Sequence, residues 1–169
     1  ITDFDGIPLS KIGRQFINFK GIISSNPSIL PGTSLISCFE SSTTWDNSGI
    51  AITWDTTNVT NMTSMFHSCN SFNLPLNFNT SNVTRMSAMF FQCFVLNQDI
   101  SFNTSNVQFM NRMFESCSKF NKPVIFNTSS VTSMEGMFSG CRIFNQDISF
   151  NDTSSVTDMT GMFADCSKF

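Results

Sequence analysis

The chain has 169 residues, of which only 12% are Asp, Glu, Lys or Arg, and its formal net charge at pH 7 is −3. This balance does not predict a nucleic-acid partner, because proteins that bind nucleic acids present clustered Lys and Arg. No stretch approaches the roughly 18 consecutive apolar residues of a membrane span, whereas 20 Phe and 10 Met provide more core material than a disordered tail contains.

Residues 1–33 do not follow the repeat that fills the rest of the chain. They include apolar residues available for packing, among them Leu9, Ile12 and Phe16. The open end of a repeat stack exposes its core, so terminal units are usually atypical caps. We therefore predict that residues 1–33 form an N-terminal cap. The segment has neither an initiator Met nor the layout of a signal peptide, as expected of a fragment or a processed chain.

Residues 34–58 resemble a degenerate first repeat that contains an insertion. In this interpretation Cys38 stands in for the cysteine of the later repeats, and Trp54 occupies the place of a strand aromatic. The interval between Cys38 and Cys69 is longer than the interval between Cys69 and the next repeat cysteine, Cys93. The difference predicts an insertion of about seven residues near Ser42–Gly49.

Residues 59–169 contain about 4.5 regular repeats, which we call units. Five segments of the form V-x-x-M-x-x-M-F-x-x-C recur along this part of the chain. They begin at Val59, Val83, Val107, Val131 and Val156, so their spacing is constant except for one extra residue in the last interval. The last unit stops at CSKF, where the next strand would begin, so we expect that the array is truncated at its C-terminus.

Two periodicities alternate within each unit. The first places apolar residues at i, i+3, i+4 and i+7, which predicts a short helix or helical turn. In the first regular unit these residues are Met62, Met65, Phe66 and Cys69. The second is the alternation of a short strand, at Leu74, Leu76 and Phe78. Since one unit cannot bury both faces, stacked units must share a core. We predict an α/β repeat fold, a leucine-rich-repeat-like solenoid with one strand and one helical segment in each coil of about 24 residues.

The units VTNMTSMF, NTSNV and FNQDISF resemble the repeats of BspA-like leucine-rich-repeat surface proteins. The resemblance covers residues 52–169, with a weaker fit from residue 34. Such repeats occur in bacterial and protist surface proteins and in giant-virus proteins. The resemblance implies a curved solenoid with a role in adhesion, surface display or virion structure, and it implies no catalytic residue.

Five cysteines occupy one repeat position, and we call them the cysteine column. They are Cys69, Cys93, Cys117, Cys141 and Cys166. A metal site or a ladder of disulfides is one interpretation, but the pattern favours a column of small buried residues, since no C-x-x-C spacing occurs. The single histidine, His67, has no second positioned group for acid–base chemistry. We predict no catalytic residue, no metal, no cofactor and no enzymatic activity.

Two columns of asparagine run along the array. The Asn73 column comprises Asn73, Asn97, Asn121 and Asn145, and the Asn79 column comprises Asn79, Asn103, Asn127 and Asn151. We predict that the first satisfies backbone groups of turns. The second is the candidate binding face. N-x-[ST] sequons, which are glycosylation acceptors in secreted eukaryotic proteins, begin at Asn58, Asn61, Asn79, Asn82, Asn103, Asn127 and Asn151.

The low charge, the repeats and the absence of a reactive constellation predict a non-enzymatic structural or adhesive surface module. Its partners would be other proteins or a larger assembly, at a cell surface, outside the cell or in a virion. The alternative is a carbohydrate- or ligand-binding module that uses the asparagine columns. We expect no nucleic-acid partner and no membrane span in this fragment.

Overall fold

The computed structural model describes residue 9, residues 12–23, residue 29 and residues 32–169. Within this part of the chain the regular elements are a 3-10 helix, Asn47–Gly49, and two strands, β1 (Val124–Phe126) and β2 (Ile148–Phe150). The two strands pair in parallel, with Val124 opposite Ile148. None of the described helices has the length and apolar character needed to cross a membrane.

Backbone hydrogen bonds join equivalent positions of successive units. Met62 N–H donates to Arg85 O at 2.9 Å, and Met86 N–H donates to Phe109 O at 3.0 Å. Isolated parallel bridges continue this line of contacts along the stack, at Asn61, Arg85, Phe109, Ser133 and Asp158. Because each unit supplies the hydrogen-bond acceptors of the one before it, the units are stacked in sequence order.

The segment predicted as a short helix or helical turn is a succession of tight turns, which we call the turn ribbon (Met62–Cys69 and its equivalents). The N–H groups of Met65 and His67 donate to the carbonyl three residues earlier, at 3.2 and 3.0 Å. The intervening N–H groups donate to the next unit instead. Ser64 and Ser68 have φ angles of 56° and 58°, in the left-handed region. An α-helix directs every N–H to the carbonyl four residues earlier, so bonding between units excludes it here.

The strand side of each unit shows the predicted alternation of burial. Leu74 and Leu76 are buried while Pro75 between them is exposed, and β1 repeats this pattern. On the strand side of the described units, regular pairing is confined to β1 and β2, and an isolated bridge joins Ile52 and Leu76. Since the described units lack α-helices and most lack a regular strand, the leucine-rich-repeat-like class stays a prediction.

A column of stacked phenylalanine rings runs through the core. Its members are Phe16, Phe39, Phe66, Phe90, Phe114, Phe138 and Phe163. Neighbouring ring centroids from Phe39 onwards are 5.5 to 5.6 Å apart, with interplanar angles of at most 14°. The column thus provides a contact between every pair of neighbouring units.

The described part of the predicted cap has the geometry of a unit. Arg14 N–H donates to Ile36 O and Phe16 N–H donates to Cys38 O, both at 2.8 Å. The ring of Phe16 stacks on that of Phe39 with a centroid distance of 5.3 Å. The segment therefore extends the turn ribbon by one unit. Residues 1–8, 10–11, 24–28 and 30–31 of the predicted cap lie outside the described residues.

The predicted equivalence of Cys38 and the repeat cysteines is wrong. Cys69 Sγ donates to Phe39 O at 3.0 Å, and the matching bond one unit earlier is made by Ser42 Oγ, which donates to Phe16 O at 3.2 Å. Cys38 precedes the stacked Phe39 and so occupies the position of a repeat methionine. A hydroxyl can replace the thiol because both donate one hydrogen bond from a small buried side chain.

The insertion is consequently shorter than predicted. The interval from Phe39 to Phe66 exceeds the interval from Phe66 to Phe90 by three residues, so three residues are inserted rather than about seven. The 3-10 helix Asn47–Gly49 lies in this segment. Asn47 is buried, and its Oδ1 accepts from Ile23 N–H at 2.7 Å. The inserted segment thus makes a hydrogen bond to the first described unit.

Candidate functional site

The Asn73 column holds neighbouring units together. Asn73 Oδ1 accepts from the backbone N–H of Asn97 at 2.8 Å. Asn97 Oδ1 accepts from Asn121 N–H, and Asn121 Oδ1 from Asn145 N–H, both at 2.9 Å. Each of these side chains therefore satisfies a backbone donor of the next unit, which is the role predicted from the sequence.

We expect Asn97→Ala to destabilise the array by about 1 kcal/mol, because it removes one such bond and leaves the N–H of Asn121 without its acceptor. Urea unfolding would measure the change. Asn97→Asp is the matched control, since a carboxylate keeps the acceptor oxygen. Equal losses of stability in the Ala and Asp variants would contradict this role.

The Asn79 column is exposed, but its acceptor oxygens are occupied. Asn103 Oδ1 accepts from Ser105 N–H at 3.1 Å and from Ser105 Oγ at 2.8 Å, and Asn127 makes the same two bonds with Ser129. These are turns closed by the Asn side chain. The amide nitrogens of Asn103 and Asn127 make no hydrogen bond to described residues, so the column presents donors.

Asn151 departs from this column because of the residue inserted in the last unit. Its Oδ1 accepts from Thr128 N–H of the preceding unit at 2.8 Å. The carboxylate of Asp152 closes the turn in its place, accepting from Ser154 N–H at 2.8 Å, and this bond lowers the pKa of Asp152. The regular part of the predicted face therefore comprises Asn79, Asn103 and Asn127.

The sequon asparagines differ in what their amide nitrogens do. Asn82 Nδ2 donates to Thr57 O at 2.8 Å, and Asn79 Nδ2 to Thr57 Oγ1 at 3.2 Å. A glycan bonded to either nitrogen would disturb a contact between units. Within the described structure no such contact uses the nitrogens of Asn103, Asn127 and Asn151, which are exposed. Glycosylation stays a prediction, and these three are its most accessible positions.

A recess of about 440 Å³ lies on the strand side, between the strand segment at residues 99–102 and β1. Asn103 of the Asn79 column lines it together with Asp99, Pro123 and Ile125. Ile125 is the middle residue of β1 and is 74% exposed. An isoleucine is usually buried, so the recess and Ile125 distinguish this part of the strand side.

A family model described as "Mycoplasma protein of unknown function, DUF285" matches residues 33–125 and, a second time, residues 101–169. The chain belongs to this family. The two matches overlap over residues 101–125, which is about one unit, as expected of tandem repeats. No curated protein and no solved structure matched the chain.

The DUF285 match confirms that the chain consists of the repeats of a known family. The finer resemblance, to BspA-like leucine-rich-repeat surface proteins, is not decided by this match. The matched segments begin at residue 33, so they include the degenerate first repeat and leave out the predicted cap.

Four members of the cysteine column of this DUF285 chain are buried in the core, and the fifth, Cys166, is partly buried against it. Each Sγ donates to the carbonyl of a phenylalanine in the preceding unit, as Cys93 does to Phe66 O at 3.1 Å and Cys117 to Phe90 O at 3.0 Å. All five thiols of the column are free. Burial raises the pKa of Cys69 to about 12. In the described residues no group of three His, Cys, Asp or Glu side chains is arranged to hold a metal ion.

His67 packs against the next unit. Its ring stacks on that of Phe91 at a centroid distance of 4.7 Å, and Ser68 Oγ lies 3.1 Å from its Nδ1. The guanidinium of Arg112 stands 4.8 Å from the centroid of the same Phe91 ring. His67 is thus the first member of a surface stack that crosses three units.

The sequence analysis missed a column of buried threonines. Thr80 Oγ1 donates to Asn103 O at 3.0 Å and Thr104 Oγ1 donates to Asn127 O at 2.9 Å. Thr56 and Thr128 make the equivalent bonds. The signal was available, because the Thr of N-T-S recurs at the same position of successive units, at Thr80, Thr104 and Thr128. Its polar character concealed a structural role, since a buried hydroxyl needs a partner that only the next unit provides.

Proposed function

We propose that this chain forms a leucine-rich-repeat-like solenoid of the BspA-like type, and that it acts as a non-enzymatic structural or adhesive module. Its strand side would contact other proteins in a cell-surface or virion assembly. The proposal joins the sequence resemblance to the stacking of the units and to the exposed apolar side chain of Ile125 on the strand side.

The exposure of Ile125 is the observation that carries this proposal. The residues that occupy the position of Ile125 in the other units are polar and exposed; they are Thr53, Asn77, Ser101 and Ser149. Ile125 interrupts this row beside the recess. Apolar residues placed next to a concavity are typical anchor points of protein interfaces. The surrounding Asn and Ser side chains would supply the polar rim of such a contact.

The use of the reactive side chains also supports a non-enzymatic role. The thiols of the cysteine column are neutral donors to carbonyls, and the ring of His67 is stacked on Phe91. The carboxylates of Asp55, Asp152 and Asp158 close turns in their own segments. Groups used in this way are not arranged around a common point where a substrate could react.

Carbohydrate binding by the asparagine columns has weaker support. The oxygens of the Asn73 column accept bonds from the next unit, and those of Asn103 and Asn127 accept bonds within their turns. The amide nitrogens, among them those of Asn103 and Asn127, would remain for a ligand. A surface of donors alone is poorly suited to sugar hydroxyls, which both donate and accept.

The proposal predicts that Ile125→Ser weakens protein binding without unfolding the array. The purified chain would be tested by biolayer interferometry against a panel of purified extracellular-matrix and serum proteins. We expect at least one partner, and about tenfold weaker binding by Ile125→Ser, because the variant loses the exposed apolar anchor. Serine is the residue that Ser101 and Ser149 place at this position, so we expect stability to be nearly unchanged.

Ile143→Ser is the matched control, since Ile143 is an exposed isoleucine outside the strand side. It should leave binding intact. The proposal would be wrong if no panel protein bound, or if the two variants behaved alike. A partner that Asn103→Ala and Asn127→Ala release while Ile125→Ser does not would favour the asparagine columns instead.

A further inference from the structure

A second concavity, which we call the polar groove, runs across several units at the turn that follows the cysteine column. Its volume is about 720 Å³. Phe94, Glu115, Arg142 and Asp165 line it together with four serines. These residues belong to four successive units, so the groove extends along the stack rather than into one unit.

The polar groove exists because one side chain is missing from a column. The residue before each repeat cysteine has left-handed backbone geometry and usually carries a side chain, as in Ser68, Gln92, Ser116 and Asp165. Gly140 has the same geometry, with φ of 73°, and carries none. A Cβ placed there would lie 3.3 Å from Ser116 Oγ. The absence of this side chain opens the space between Ser116 and Asp165.

Most polar side chains of the groove make no hydrogen bond or ion pair to described residues; the exceptions are Ser118, whose Oγ donates to Phe94 O at 3.3 Å, and Glu115, which pairs with Arg112. Within the described residues Ser116 Oγ, Ser139 Oγ, the carboxylate of Asp165 and the guanidinium of Arg142 make no hydrogen bond or ion pair. Two units earlier the corresponding serine is engaged, because Ser68 Oγ donates to Gln92 Oε1 at 3.1 Å. The groove therefore presents both donors and acceptors to a ligand.

The charges of the groove do not favour an anion. Arg142 lines the groove together with two carboxylates, Glu115 and Asp165, and Glu115 is paired with Arg112 through a contact of 2.6 Å. An anionic ligand would meet the carboxylates, and a cationic one would meet the guanidinium of Arg142. A neutral ligand with many hydroxyls can use the serines, Asp165 and Arg142 together.

Phe94 adds an apolar surface at the margin of this polar lining. Its side chain is 39% exposed, although phenylalanine elsewhere in the units belongs mainly to the core. A pyranose ring has one apolar C–H face beside its hydroxyls, and an exposed aromatic side chain is its usual contact. We propose that the polar groove is a saccharide-binding site for a neutral oligosaccharide. This does not rest on the protein contact proposed for the strand side, since a soluble sugar needs neither Ile125 nor a protein partner.

The test is titration of the whole chain with neutral oligosaccharides, followed by NMR spectroscopy of the backbone amides. The probes would be tetrasaccharides of glucose, mannose, galactose and N-acetylglucosamine. We expect at least one probe to bind, with the largest shift changes at Ser116, Gly140 and Asp165. Because this titration uses the wild-type chain, its outcome does not depend on whether a variant folds.

Gly140→Gln is the variant that tests the groove. It recreates beside Ser116 the pair that the chain already contains at Ser68 and Gln92, so the fold should accept it despite the positive φ. The new side chain fills the hollow, and we expect at least about tenfold weaker binding of the sugar. Phe94→Ala should weaken binding as well, while its circular dichroism spectrum should match that of the wild type.

Asn103→Ala and Asn127→Ala are controls on the strand side, and both should bind the sugar as the wild type does. The proposal is overturned if none of the probes binds at millimolar concentration. It is also overturned if a folded Gly140→Gln variant binds the sugar with the affinity of the wild type. Failure of Ile125→Ser to weaken protein binding would affect only the strand-side proposal.

Discussion

Replacing Phe114 by glycine should unfold the centre of the array. Phe114 is fully buried, and its ring stacks between those of Phe90 and Phe138 at 5.6 and 5.5 Å. Removal of a buried phenylalanine ring costs about 3 to 5 kcal/mol, and glycine adds up to about 1 kcal/mol through backbone freedom. Small domains have roughly 5 to 15 kcal/mol of stability in total. The expected loss is therefore comparable to the whole stability of the chain.

Urea unfolding followed by circular dichroism would measure this loss. Phe114→Ala separates the ring from the backbone effect, and it should retain most of the destabilisation. Phe94→Ala is the control for a partly exposed phenylalanine, for which we expect a change within about 0.5 kcal/mol. Because repeat arrays can unfold in segments, a second transition in Phe114→Gly would report that the outer units separate. Wild-type stability in Phe114→Gly would contradict the stacking of the units.

The array should also lose stability steeply above about pH 9. Burial raises the pKa of the five fully buried thiols above their ordinary value of 9.0, to about 12 for Cys69; these thiols are Cys38, Cys69, Cys93, Cys117 and Cys141. Below pH 9 both the folded and the unfolded chain keep these protons, so the thiols contribute no pH dependence. Above it the unfolded chain ionises while the folded chain does not, and the free energy of unfolding falls with pH. For Cys69 this decline continues to about pH 12.

The expected slope is about 1 kcal/mol for each buried thiol and each pH unit. Five thiols together would remove a typical total stability of roughly 5 to 15 kcal/mol within a few pH units. Urea midpoints measured between about pH 7 and pH 10.5 would give this slope. The chain contains no tyrosine, so ionisation of phenols does not obscure it.

The control is the double variant Cys93→Ala and Cys117→Ala. It should be less stable than the wild type at pH 7, because two buried side chains are truncated. Its stability should nevertheless decline less steeply above pH 9, since only three of the five thiols remain. An identical pH profile in wild type and double variant would exclude the thiols as the cause.

Counting from one residue type is misleading in the irregular first repeat. Cys38 is the only cysteine in that segment, so spacing assigns it to the cysteine column and implies an insertion of about seven residues. The ring contact between Phe39 and Phe66 shows instead that Ser42 takes the place of the thiol. Sequence spacing alone does not show whether a serine has replaced the repeat cysteine as the hydrogen-bond donor or whether the cysteine has been shifted along the chain by an insertion.

The apolar spacing does not distinguish the turn ribbon from a short helix, for a different reason. Apolar spacing reports which side chains share a face, and Met62, Met65, Phe66 and Cys69 are indeed all buried. It does not report which carbonyl accepts each backbone N–H. Half of these N–H groups donate to carbonyls of the next unit. This bonding between units gives a turn ribbon, with left-handed residues at Ser64 and Ser68, instead of a helix.

The sequence by itself determined the repeat, its period, the buried columns and the structural role of the Asn73 column, because each of these is repeated from unit to unit. Only the tertiary structure decided the turn ribbon, the substitution at Ser42, the exposure of Ile125 and the groove beside Gly140. These features depend on which residues of neighbouring units meet. The residues that contact each other lie about one unit apart along the chain, so the pattern within one unit does not show which residues will meet.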